Sequence, residues 1–226
     1  MTGTPSQPIY YSRGSASETA VNWSTTRLGT AAAVTFDKNA SMVVQLGHTV
    51  TTTNNPAFNV RSLAVETGGT MTVQGIGTLG VYGPIFDIDG TFSSSDDEFD
   101  FLGDTLCDIS GSAGTITMNV LEMNKTQGVK VTVNTLKIID ELQLDNGNFN
   151  ANAKEVQLIS SATRTARLGA VGAGASYSSF LRMERYVPAG VTDYRLICSP
   201  VAPKTIADWT DDFVTSGFTG STFPSF

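Results

Sequence analysis

The sequence predicts an all-β chain: a right-handed parallel β-helix of about 21 residues per coil, with an N-terminal cap and a short β-rich C-terminal segment. Three observations predict it. A short phrase returns at a constant step of 21 residues, as Val44-Gln45-Leu46-Gly47-His48-Thr49, Val65-Glu66-Thr67-Gly68-Gly69-Thr70, Phe86-Asp87-Ile88-Asp89-Gly90-Thr91 and Cys107-Asp108-Ile109-Ser110-Gly111-Ser112. A fixed period of this size signals a solenoid or array. Within each phrase apolar and polar residues alternate, which is the period of a strand with one buried face. Each phrase closes on a glycine followed by a hydroxylated residue or, once, by His48, where a tight corner needs unusual backbone angles. Two further columns keep the step: Val60, Val81, Leu102, Met123 and Leu144 in one, and Phe58, Leu79, Leu121 and Leu142 in the other, with a miss at Asp100.

Taken in order, residues 1–33 are irregular, with Pro5, Pro8 and a Ser/Thr-rich segment around Trp23. A solenoid needs its open end covered, because exposed ladder edges invite pairing with another chain. This segment is therefore expected to be the N-terminal cap, with Trp23 as its plug. Residues 34–168 form the solenoid, whose coils continue after Lys130 with altered spacing and a turn signal at Asn146-Gly147. Residues 169–178, almost all small, read as a loop, and residues 179–226 as a C-terminal cap or the start of a further module. In that last stretch, 180–187 and 194–198 look like strands and 205–209 like a short helix capped by Thr205.

Composition excludes several function classes. Only 15% of the 226 residues are charged and the net charge is −7, so no basic stripe exists to neutralise a nucleic-acid backbone. No apolar run is long enough for a membrane helix, and no signal peptide is visible, which leaves a cytosolic protein or a mature fragment whose export signal has been removed. The two cysteines, Cys107 and Cys198, lie 91 residues apart and suggest small buried hydrophobes rather than a disulfide framework.

The motifs with chemical content are few. Gly75-Ile76-Gly77-Thr78-Leu79-Gly80 matches the dinucleotide fingerprint, but the following Val81-Tyr82-Gly83-Pro84 cannot start the helix that a pyrophosphate requires. His48 is the single histidine, so a nucleophile–histidine mechanism would have to use it; its column places it at a coil corner, with few contacts expected. No catalytic or cofactor-binding residue is assigned. The outward positions Glu66, Asp87 and Asp108 share the 21-residue step, which would stack three carboxylates about 4.8 Å apart on one face. That ladder is either a solvated acidic face or a divalent-cation site for which Ca²⁺, with its oxygen ligands, is the natural occupant. Further acids (Asp89, Asp96, Asp97, Glu98, Asp100, Asp104) crowd the same coils in what reads as a Ser/Asp-rich turn.

The opening Ile9-Tyr10-Tyr11-Ser12-Arg13-Gly14-Ser15, the Asn22-Trp23-Ser24 triplet and Leu46-Gly47-His48-Thr49-Val50 resemble the start of large type IX-secreted surface proteins of the Bacteroidota. The segment Met183-Glu184-Arg185-Tyr186-Val187-Pro188-Ala189-Gly190, followed by Tyr194-Arg195-Leu196-Ile197-Cys198-Ser199-Pro200-Val201, is similar to the stretch that follows the solenoid in the same group. Asp104-Thr105-Leu106 also resembles the O-glycosylation sequence of that phylum. The resemblance implies a secreted or cell-surface location and covers architecture and phrase, without a catalytic signature. Residues resembling the group's C-terminal sorting domain are not present before Phe226.

The expected function is accordingly a non-enzymatic extracellular structural or adhesive module of a larger bacterial surface protein. Its expected partners are surface glycans or neighbouring modules of the same protein, not nucleic acid and not a membrane interior. The rival reading is a β-helical polysaccharide lyase or glycoside hydrolase, a fold on which clustered aspartates do such chemistry.

Overall fold

A computed structural model describes residues 7–186, apart from 16, 19–21, 33, 53–56, 76 and 95–96. Ahead of the coils, β1 (Ile9–Ser12) pairs antiparallel with β2 (Trp23–Ser24). Three strands then make a coil: β3 (Ser41–Val44), β4 (Thr49–Thr51) and β5 (Ala57–Val60) the first; β6 (Leu63–Val65), β7 (Thr70–Val73) and β8 (Thr78–Val81) the second; β9 (Ile85–Ile88), β10 (Thr91–Ser94) and β11 (Glu98–Gly103) the third. In later coils strands run round the corners: β12 (Cys107–Ser110) precedes the bent β13 (Thr115–Lys125), and β14 (Val129–Val131) precedes β15 (Thr135–Asn150). β16 (Glu155–Leu158), β17 (Arg167–Ser178) and β18 (Leu181–Met183) complete about six turns of a parallel β-solenoid, with no helix among the described residues.

Three faces result. The first stacks β1, β3, β6, β9, β12, β14 and the end of β15, all parallel. The second begins with β4, β7 and β10 and resumes with the first part of β13, the start of β15, β16 and β18. The third stacks β5, β8, β11, the second part of β13, the middle of β15, and β17. Alternation along each strand sends every second side chain into one shared interior, where residues of successive coils lie about 4.8 Å apart. That interior is a single cluster running from Trp23 to Ala166, nearly all of it fully buried.

The register corrects the constant 21-residue step. On the third face the buried column is Val60, Val81, Phe101, Met123, Leu144, with steps of 21, 20, 22 and 21 (81−60, 101−81, 123−101, 144−123). Phe101 therefore takes the place expected of Leu102, which faces outward. The same one-residue contraction explains the miss at Asp100, since the second column is Phe58, Leu79, Phe99, Leu121, Leu142. On the first face the step is 21 from Val44 to Val65 but 23 from Val65 to Ile88 and from Phe86 to Ile109. These changes fall between separate strands, where the corner carries no ladder and tolerates an added or missing residue. At the corner after the third face, Gly128 and Gly147 have φ of 81° and 90°, and a Cβ on Gly147 would lie 3.0 Å from the Gly128 backbone. Only glycine fits that close approach, so the Asn146-Gly147 signal marks a corner inside β15 rather than an interruption between strands.

Two boundaries also move. The small-residue stretch 169–178 is strand, not loop: it forms most of β17, with register shifts against β15. A Cβ on Gly174 would meet the Asn146 side chain at 2.8 Å, so the small residues admit close packing against the previous rung. The solenoid consequently extends past 168, with β18 adding a second-face rung on β16. At the other end, the cap donates β1 to the first face, and its Trp23 is fully buried. Phe36 links the cap to the coils by edge-to-face contacts with Tyr10, Trp23 and Phe58 at centroid distances of 5.6, 4.9 and 5.7 Å. Cys198, the expected strand at 194–198 and the expected helix at 205–209 lie outside the described residues.

Candidate functional site

The register shift on the first face dissolves the expected carboxylate ladder. Asp87 pairs with Ala64 and Ser110, and Asp108 with Ile85 and Lys130, so Glu66, Asp87 and Asp108 are not equivalent on successive rungs. Each has its own surroundings. Glu66 forms an ion pair with Arg27 of the cap, Asp87 Oδ1 accepts a hydrogen bond from Ser110 Oγ at 2.6 Å, and Asp108 lies one rung from Lys130.

Among the described residues, the carboxylates that do converge are Glu98, Asp100 and Glu122, on the third face, whose oxygens lie within 4.8 Å of one another. β11 carries the first two on its outward side, so they stand on a strand rather than in the expected turn. Asp100 and Glu122 are register partners, with Gly80 on the rung before and Gln143 on the rung after. Burial, then the charges of Glu98 and Asp145, pushes the Asp100 carboxyl up to about 6. Glu122 is pushed up to about 7, first by burial, then by Asp100 and Asp145, with a hydrogen bond to Asp145 acting in the same direction. Asp100 Oδ1 is buried and has no hydrogen-bond partner. A group of this kind can hold a shared proton or present oxygen ligands to a divalent cation. Glu122 escaped the sequence analysis because a strict 21-residue step sets it opposite Phe101 and leaves Asp100 in the inward column; the 22-residue step (122−100) was the missing signal.

Next to these acids a groove of about 480 Å³ opens at the corner between the third and first faces, lined by Tyr82, Leu102, Gly103, Asp104, Asn124 and Thr126. Beneath it lies Lys125, which is fully buried and was not anticipated. Its Nζ donates to the carbonyls of Tyr82 at 2.9 Å and Leu102 at 2.6 Å, tying together three coils. Burial lowers the lysine's pKa, and burial also raises the neighbouring Cys107 thiol to about 12 against the opposing pull of Lys125. A thiol so held is protonated, consistent with a packing role for Cys107. Thr105 Oγ1 donates to the same Tyr82 carbonyl at 3.3 Å.

His48 is less idle than a bare corner residue. Its Nδ1 lies 2.8 Å from Oγ of the fully buried Ser12, which also accepts from the Gln45 backbone N–H at 2.9 Å. The imidazole thus fastens the cap strand β1 to the first coil. The glycine-rich segment ending at Gly80 enters β8 directly, without the helix a dinucleotide site needs. No helix among the described residues is long and apolar enough to cross a membrane. No protein-family model matches the chain, and neither a curated protein nor a solved structure does.

Proposed function

We propose that the chain is a non-enzymatic structural or adhesive module of a larger, extracellular bacterial surface protein. The observation that carries this reading is the continuous stacking of like residues through the coils, as in Phe58, Leu79, Phe99, Leu121 and Leu142. Such a rod lengthens by about 4.8 Å per coil without changing its cross-section, which suits a spacer that displays faces at a distance from its attachment. The resemblance of residues 9–15, 22–24 and 46–50 to Bacteroidota surface proteins supports the same reading and its extracellular placement.

The second reading, a β-helical polysaccharide lyase or glycoside hydrolase, draws on the Asp100–Glu122 pair. Carboxyls on neighbouring rungs are about 5 Å apart, the separation that retaining glycosidases use, and Glu122 holds its proton near neutrality. The deciding experiment incubates the purified chain with soluble polysaccharides and measures new reducing ends and unsaturated uronyl products. The module reading expects neither. Release that disappears in Glu122→Gln would replace it with the enzyme reading.

A further inference from the structure

We propose that the groove beside Tyr82 is a subsite for an uncharged polysaccharide; this names a partner class for the adhesive module and rests on that reading. Tyr82, Leu102 and Asn124 each follow a member of the buried column Val81, Phe101, Met123, so their side chains leave successive rungs on the same side. The Tyr82 ring lies along the backbone where side chains are missing. A Cβ on Gly80 would stand 3.2 Å from its Cε2, and one on Gly103 3.9 Å from its Cδ1. Tyr82 and Leu102 line the groove together with Asp104, Asn124 and Thr126. An aromatic ring offers a surface on which the C–H face of a pyranose packs, and the side chains of Asp104, Asn124 and Thr126 are of the acceptor and donor types suited to sugar hydroxyls.

One feature makes this more than a dent in the surface. Lys125 Nζ holds the carbonyls of both Tyr82 and Leu102, so the floor is fixed before a ligand arrives and little ordering cost falls on binding. Charge sets the class: Asp104 lines the groove, and at about pH 8, where Asp100 and Glu122 have also lost their protons, the adjoining Glu98, Asp100 and Glu122 add to it, so uronate or sulfated chains are repelled.

The test is affinity electrophoresis of the whole chain through gels containing laminarin, galactomannan or xylan, with alginate and polygalacturonate as anionic arms. Retardation is expected with at least one neutral polysaccharide and with neither anionic one. Tyr82→Ala should weaken it at least tenfold, Tyr82→Phe should retain it, and Asn124→Ala should weaken it severalfold. Thr72→Ala, on the second face, should leave it unchanged. Because Asn124 is exposed, its variant carries the test even if Tyr82→Ala unfolds. Absence of retardation by every neutral polysaccharide, preference for an anionic one, or indifference to both groove substitutions overturns the subsite. None of these releases reducing ends, so the module reading would outlive that failure, while polysaccharide cleavage would end the module reading even with the subsite intact.

Discussion

Asp100 and Glu122 occupy the same position on neighbouring rungs of the third face, one strand apart, with their carboxyls turned to the same side. Parallel stacking leaves them no freedom to separate, because the buried residues flanking them, Phe99 with Leu121 and Phe101 with Met123, set the register. Burial first, and the neighbouring acids second, favour the protonated forms, which is why both carboxyls stand above their ordinary range.

Stability should follow that proton. A carboxyl whose pKa is higher in the folded chain contributes stability that is complete below its unfolded value of about 4 and is lost as pH rises through the folded value. With Asp100 at about 6 and Glu122 at about 7, the loss falls between pH 4 and 7. Thermal unfolding is expected to show Tm falling by a few degrees from about pH 5 to about pH 8, and Glu122→Gln should flatten the decline. A Tm that climbs across this window would refute the pairing.

Calcium separates the two acidic sets. Any rise in Tm with millimolar Ca²⁺ at about pH 8 should shrink in Glu122→Gln, where oxygens converge, and persist in Asp87→Asn, whose partner is Ser110. Equal sensitivity to both substitutions would show general screening of an acidic surface.

Lys125 offers a different kind of test, since a buried ammonium is tolerated only while its carbonyl partners remain. Lys125→Met keeps the length of the side chain but leaves the Tyr82 and Leu102 carbonyls without this donor. The Tyr82 carbonyl keeps the hydrogen bond from Thr105 Oγ1, so the loss falls chiefly on the Leu102 carbonyl; an unsatisfied buried group costs about 1–3 kcal/mol, partly offset because the ammonium no longer needs to be desolvated. Urea denaturation is expected to show a net loss of about 1 kcal/mol with an unchanged m value. A variant as stable as the parent would mean that desolvation cancels both hydrogen bonds.

The fold was legible because the solenoid writes its interior into the sequence: Val44 and Val65, or Val60 and Val81, are a true 21 residues apart. The length of a coil, the inward alternation along its strands and the burial of Trp23 in the cap follow from period and pattern. The site was not legible for the same reason. A period averages over corners, and a one-residue contraction before Phe99 was enough to turn Asp100 from an inward miss into an outward partner of Glu122. Lys125 was hidden more deeply, since a lysine at the end of an alternating strand reads as exposed until the carbonyls it must satisfy are placed.

The contraction itself is open to a direct test at adjacent residues. Phe101 lies between Val81 and Met123, fully buried and 5.7 Å from the Phe86 ring, whereas Leu102 faces the groove. Truncating a buried phenylalanine removes its transfer free energy and leaves a cavity that stacked coils on both sides cannot close, so Phe101→Ala should cost about 3–5 kcal/mol. Leu102→Ala removes a side chain already in partial contact with water and should cost about 1 kcal/mol or less. A uniform 21-residue step predicts the reverse order. Urea midpoints of the two variants therefore discriminate the registers: a Leu102 variant less stable than the Phe101 variant would restore the uniform step, and with it the expectation that Asp100 points inward.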